Sequence, residues 1–311
     1  SMLRHSSQQQ SDIDSVIFNL TEDEIALRRM TPFMPASEQH QGPLTRRFGV
    51  LQIDSKGRTK VRCIDDSAES LINDTTDIVR AIRMGRISDL HHAIKRLKAA
   101  HPDCRLLLLK SDFAAAYRGC PLLREHLQYS KVVVRDPSTG ELLESTILAM
   151  PFGAVAAVYA WDRVGGALQA ILQRLFLIPC SRYVDDLFWC DFEQTASQGR
   201  SMALQIISIL GFTLAPDKTP DAAISQDILG ISVSLEQLEN QLQVIINADP
   251  RKLHIWLQQV SAAISHKFIS HQDGEQLVGR LGFASWAIWG PVAWTHTFAV
   301  FRCTSFLALA S

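Results

Sequence analysis

Residues 179–191 read PCSRYVDDLFWCD, so two adjacent carboxylates, Asp185 and Asp186, stand among Tyr183, Val184, Leu187, Phe188 and Trp189, side chains that favour burial. A buried carboxylate without a partner is strongly disfavoured, and two side by side repel, so the pair calls for a neutralising cation. A third carboxylate, Asp112, ends the apolar run LLLLKSD and lies 73 positions before Asp185. Mg²⁺ is a hard ion that takes oxygen ligands and is shared between a few carboxylates and substrate phosphates. Two such ions about 4 Å apart clamp the attacking and leaving oxygens of a phosphoryl transfer. Asp112 on one strand and the aspartates on a neighbouring hairpin would supply those ligands.

The elements that must hold these residues are legible in outline. CRLLLLKSDF reads as a buried strand, and the stretch around Asp185 as a strand, a tight turn and a second strand with the aspartates at the turn. FGVLQIDSKGRTKVRCI reads as a hairpin about Ser55-Lys56-Gly57, and YSKVVVRDPSTGELLESTIL as another about 137–140. Ile87, Leu90, Ile94 and Leu97 recur at helical spacing, with Ser88 as the expected N-cap. A long, mostly buried helix is expected after Gly153 and another over 202–210. DILGISVSLEQLENQLQVII is expected as a hairpin, and 250–302 as helical, with Leu253, Trp256, Leu257 and Val260 on one face. Residues 1–40, polar and acidic, read as a loosely attached lead-in with one short helix near 22–29.

Composition sets the limits. The chain has 311 residues, 47% of them apolar, enough for a sizeable core in one large domain or in tightly packed subdomains. The longest apolar run, 147–161, is broken by Pro151 and Gly153, so no membrane span is expected, and with no signal or transit sequence evident an intracellular location is expected. Six cysteines show no CxxC spacing and read as reduced core thiols rather than a zinc site. The net charge is −1, but 45–62 and 79–98 each carry six basic residues against one aspartate, which points to a polyanionic partner. A second acidic pair, Asp65-Asp66, is followed by Ser-Ala-Glu-Ser and reads as a solvated strand end, unlike the apolar surroundings of Asp185-Asp186.

KSDFAAAYRGCP, MPFGAV, SRYVDDLFWCD, LGFTLAPDKTP and DILGISVSL, in that order and at those separations, resemble the successive palm motifs of reverse transcriptases, particularly those of long-terminal-repeat and tyrosine-recombinase retroelements. RRFGVLQIDSKGRTKVRCIDD is similar to the fingers strands of that family, and EQLVGRLGFASWAIWGP to its helical thumb, so the resemblance covers about residues 28–302. It implies an α+β right-hand polymerase fold, with fingers, a palm built on an antiparallel sheet and a helical thumb. The implied division is a lead-in over 1–40, fingers over 41–104 with the hairpin region 121–148, palm over 105–120 and 149–235, and primer grip with thumb over 236–311.

The implied activity is RNA-directed DNA polymerisation, the extension of a nucleic-acid primer with deoxynucleoside triphosphates on an RNA or DNA template, with Mg²⁺ or Mn²⁺ as cofactor. Asp112, Asp185 and Asp186 would be the catalytic metal ligands. Arg62, with Lys56 and Lys60, would contact the incoming triphosphate. Phe113, Phe152 and Gly153 would line the nucleotide side, and Tyr117 would underlie the deoxyribose. Lys218 would lie near the departing pyrophosphate, and Leu229 with Gly230 would start the primer grip. Phe152 stands where many retroviral relatives have glutamine. No ribonuclease H, protease or integrase segment fits the remainder, so the chain is expected to be either a polymerase domain from a longer polyprotein, with other polyprotein domains as partners, or a stand-alone derivative. The alternative is a domesticated, catalytically silent protein of the same fold that binds RNA or protein.

Overall fold

The computed structural model describes residues 7–36, 42–53, 59–78, 81–238 and 241–288. In chain order the elements are α1 (Ser7–Ala26), β1 (Met34–Pro35), β2 (Leu44–Ile53), β3 (Thr59–Asp65), α2 (Ile87–Ala100), β4 (Leu106–Asp112), β5 (Lys131–Arg135) and β6 (Leu142–Thr146). There follow α3 (Val155–Leu175), β7 (Ser181–Tyr183), β8 (Asp186–Phe192), α4 (Glu193–Ile209), β9 (Ser225–Ile228), β10 (Ile231–Leu238), β11 (Gln241–Ala248), α5 (Pro250–His266) and α6 (His271–Ile288). The chain divides into two compact units, one from Ser1–Arg83, Ala114–Gly166 and Gly211–Thr213, the other from Met84–Phe113, Ala167–Leu210 and Leu214–Ser311.

The first unit is built on a sheet of order β1-β6-β5-β2-β3, antiparallel throughout except where β2 runs parallel to β5. The stretch expected as a loose lead-in is instead the 20-residue helix α1, which buries Ile13 and Ile17 against Val134, with Phe18, Leu51 and Val61 packed around them. The polar composition concealed an apolar pair spaced four apart, enough to seat one helix face. Gly49 makes the close seat feasible, since a Cβ there would run into the side chains of Ile13 and Val61. The β2–β3 hairpin forms as expected, but its turn and Lys56 lie outside the described residues. The β5–β6 hairpin also forms as expected.

The second unit holds two three-stranded sheets, β4-β8-β7 and β11-β10-β9. Ile87, Leu90 and Ile94 of α2 share one core with Leu106 and Leu108 of β4, Phe188 and Cys190 of β8, and Ile228, Ile231 and Val233. Leu109, Leu187 and Trp189 are buried as well, which is why β4 and β8 read as continuous apolar runs rather than alternating ones. Ser88 is not the N-cap of α2; the cap position is Arg86, whose N–H donates to Asp89 Oδ2 at 2.8 Å. The stretch expected as a single late hairpin is a three-stranded meander, because Leu229 and Gly230 turn the chain once more. α5 and α6 are helical as expected, 289–302 of the expected helical stretch lying outside the described residues, and Leu253 and Leu257 of the expected face are exposed. Among the described residues five cysteines are unpaired, and burial pushes the Cys180 and Cys190 thiols up to about 12.

Candidate active site

The acidic pair is delivered by strand register. β4 and β8 pair so that Asp112 lies opposite Asp186, and β7 pairs with β8 so that Tyr183 lies opposite the same Asp186. Between them the chain turns at Val184, at φ 51°, a left-handed conformation that a β-branched residue adopts only under constraint. The constraints are visible. The Phe113 N–H donates to the Asp185 carbonyl at 3.1 Å, and buried Arg182 donates from Nη1 to the Val184 carbonyl at 2.9 Å. A strap from Met84 to Arg86 runs beside the turn: the Gly85 N–H donates to Arg182 O at 2.6 Å and the Val184 N–H points to the Met84 sulfur at 3.4 Å. A Cβ on Gly85 would meet the Arg182 backbone nitrogen and oxygen at 2.9 Å, so only glycine fits there.

The loop after α4 closes on Asp112. Ala215 N–H donates to the Asp112 carbonyl at 2.8 Å, and the following 3₁₀ turn, Pro216–Lys218, brings Lys218 Nζ to 2.9 Å from Asp112 Oδ2. That contact raises the Lys218 ammonium above its ordinary value. The other two carboxylates have less help. Burial, with Asp112 close by, raises Asp185, and burial with both neighbouring aspartates pushes Asp186 up to about 6. Three clustered carboxylates against Lys218 and the weaker influence of Lys110 leave uncompensated negative charge.

Among the described residues no group of three or more His, Cys, Asp or Glu side chains is arranged to hold a metal ion. Mg²⁺ does not demand such a group, since it usually rests on one or two carboxylates and completes its shell with water and phosphate oxygens. Asp112, Asp185 and Asp186 form a hard, all-carboxylate donor set that fits such an ion, and the raised proton affinity of Asp185 and Asp186 reflects the negative charge gathered there.

In the first unit a different group converges. The Arg62 guanidinium lies over the Phe152 ring, 5.0 Å from its centroid, and Phe152 meets Tyr117 edge to face at 5.7 Å. Tyr117 is buried and also lies 6.1 Å from Trp161. Gly153, at φ 105°, comes so close to the Asp65 carbonyl that a Cβ would stand 2.9 Å from it. Lys60 is exposed on β3. Leu229 and Gly230, in the second unit, form a two-residue turn at φ 54° and 74°, values that suit a hairpin turn.

Two features were not foreseen. Asp65 is buried, not a solvated strand end: its carboxylate accepts two hydrogen bonds from buried Arg47 and one from Arg118. The polar residues after it misled, because the partners come from 18 and 53 positions away. The Met84–Arg86 strap was missed too, although a glycine two residues before a helix was a signal for a close backbone approach.

No protein-family model matches the chain, and no curated protein does. A solved foamy viral protease-reverse transcriptase, in complex with double-stranded DNA, is similar at a TM-score of 0.56 and 12% identity, over 86% of this chain and 39% of that one. At that identity the likeness is one of fold, and the fold is a mixed α+β one of reverse-transcriptase type. This chain spans well under half the length of that protein. No described helix is long and apolar enough to cross a membrane.

Proposed function

We propose that the chain is an RNA-directed DNA polymerase of retroelement type, with right-hand fingers, palm and thumb, extending a primer on an RNA template. The observation that carries the reading is the pairing of Asp112 with Asp186 across β4 and β8, with Asp185 at the adjoining turn. Three carboxylates on one short hairpin and its neighbour have no use in a structural core, where they would cost stability without a counter-ion. The likeness in fold to a reverse transcriptase supports the same reading.

Each residue then has a task. Asp112, Asp185 and Asp186 hold the divalent ions, Mg²⁺ in the first place and Mn²⁺ as its substitute. Those ions, when bound, neutralise charge on the transferring phosphoryl group and activate the primer hydroxyl. Arg62 and Lys60 bind triphosphate oxygens, as their charge and partial exposure suit, and Lys56 is assigned the same task. Phe152 and Gly153 line the nucleotide side, with Phe113 beside Asp112. Tyr117 excludes a 2′-hydroxyl by its bulk. Lys218, which already donates to Asp112, can donate a proton toward the leaving pyrophosphate. Leu229 and Gly230 hold the primer.

Primer extension on an RNA template with deoxynucleotides and Mg²⁺ tests the reading. Template-directed, metal-dependent DNA synthesis is expected. A folded chain that binds primer-template but adds no nucleotide with either Mg²⁺ or Mn²⁺ would instead be a silent relative of the same fold.

A further inference from the structure

In the first unit one buried anion, Asp65, bonds the residue next to Tyr117 and abuts the backbone of Gly153. Asp65 ends β3, three residues after Arg62, and its side chain is only 3% exposed. It takes Arg47 through Nε at 2.6 Å and Nη2 at 3.0 Å, and Arg118 through Nη2 at 3.3 Å. Arg47 is held a second time, by Thr21 Oγ1 at 3.2 Å. Arg118 depends on Asp65 far more: Nη1 has no hydrogen-bond partner among the described residues, and the other carboxylate nearby, Glu24, is 4.0 Å from Nε.

Arg118 directly follows Tyr117 on the 3₁₀ turn Ala116–Gly119, which the chain enters through Ala115 at φ 53°. A turn begun in that conformation needs an external hold. The other end of Asp65 faces a second turn. Its carbonyl fills the space where Gly153 has no side chain, and Asn73, from the loop that follows Asp65, donates to Gly153 O at 3.3 Å and accepts from the Val155 N–H at 2.8 Å. One residue thus touches the turn of Tyr117 with its carboxylate and the turn of Phe152 and Gly153 with its backbone.

We infer that Asp65 is a positioning residue for nucleotide selection, acting through Arg118 on the turn that carries Tyr117. The inference rests on the proposed reading of Tyr117 as the residue beneath the sugar. Two guanidiniums on one carboxylate make the arrangement sensitive, since loss of the anion leaves two like charges buried together. Arg47 keeps Thr21 in that event. Arg118 has little else, so the Tyr117 turn is what moves. A purely structural Asp65 would lower stability without changing which sugar is chosen.

The test compares the parent with Tyr117→Ala, Asp65→Asn, Arg118→Gln and Arg118→Lys. Two quantities are read on folded protein: the ratio of kcat/KM for matched ribo- and deoxynucleotides, and amide hydrogen exchange over 114–120 against 181–192. Arg118→Gln should raise relative ribonucleotide use about tenfold, as small misplacements at a reacting centre do, and speed exchange over 114–120 alone. Arg118→Lys should restore part of both, and Asp65→Asn should move both in the same direction as Arg118→Gln. Arg118→Gln keeps the Arg47–Asp65 pair, so it decides the matter even where Asp65→Asn does not fold. If Tyr117→Ala shifts the sugar ratio while Arg118→Gln leaves ratio and exchange unchanged, the inference falls and the polymerase reading stands. If Tyr117→Ala itself leaves the ratio unchanged, the sugar assignment of Tyr117 falls, and selection through Arg118 falls with it.

Discussion

Lys218 Nζ lies 2.9 Å from Asp112 Oδ2, so the cation that pairs with the acidic cluster is bound to the carboxylate from β4 and not to either one from the β7–β8 hairpin. A divalent ion that uses Asp112 must compete with that lysine. Lys218→Ala should therefore tighten Mg²⁺ binding while lowering kcat about 10²- to 10⁴-fold through loss of the proposed proton donor. Thermal-shift titration with Mg²⁺ and steady-state kinetics on one preparation measure the two effects. Weaker ion binding in the variant would mean that Lys218 supports the site rather than competing for it.

Asp186 gives the site a pH signature. Its carboxyl is pushed from 3.8 up to about 6, chiefly by burial and then by its two aspartate neighbours. A folded-state value raised above the unfolded one means that ionisation costs stability. The contribution is complete below about 4 and is lost as pH rises through about 6. In EDTA the parent should be more stable at pH 5 than at pH 7.5 by about 1 kcal/mol from this group, after allowance for solvent screening at a partly open site. Asp186→Asn should remove that difference, and Mg²⁺ at pH 7.5 should stabilise the parent but not the variant. Denaturant unfolding at both pH values gives the answer, and equal pH dependence in the two proteins would contradict it.

Much of this site could be read from the chain because its signal is local. A carboxylate pair amid aromatic and aliphatic neighbours, and a third at the end of an apolar strand, needed no long-range information, and the strands pair as their patterns suggest. Asp65 was misread for the opposite reason: what buries it are Arg47 and Arg118, which adjacent sequence does not reveal. The helix α1 was hidden because two apolar residues suffice when Gly49 lets the helix approach the sheet. Ser88 failed as a cap because Asp89, one residue later, reaches back to the Arg86 N–H.

The strap at Gly85 gives a test remote from any ligand. Gly85→Ala would place a methyl 2.9 Å from the backbone of Arg182, whose guanidinium supports the Val184 turn. Activity should fall sharply, and stability should drop by about 2 kcal/mol. Activity assayed on the folded fraction, with a melt of the same sample, separates the two losses. An alanine variant with parental activity and stability would show that the strap does not hold the hairpin.

Arg62 over Phe152 is proposed to grip the triphosphate, so Arg62→Ala should raise the nucleotide KM about tenfold or more with a much smaller change in primer-template affinity. A purely structural arginine would give the reverse, with lost stability and an unchanged KM in the folded fraction.

Tyr117, packed edge to face on Phe152, is proposed to reject the 2′-hydroxyl. Tyr117→Ala should increase ribonucleotide use relative to deoxynucleotide by about 10- to 1000-fold, equivalent to about 1.4 to 4 kcal/mol of lost discrimination. A parent that already prefers ribonucleotides would contradict synthesis of DNA.

Single-turnover primer extension by Asp185→Asn, set beside primer-template binding by the same protein, tests the central claim most directly. Asn keeps the shape of the side chain at the turn and removes its charge, so the fold and duplex binding should persist. Nucleotide addition should fall by about three orders of magnitude or more. Extension at close to the parental rate by a folded Asp185→Asn protein would contradict the account.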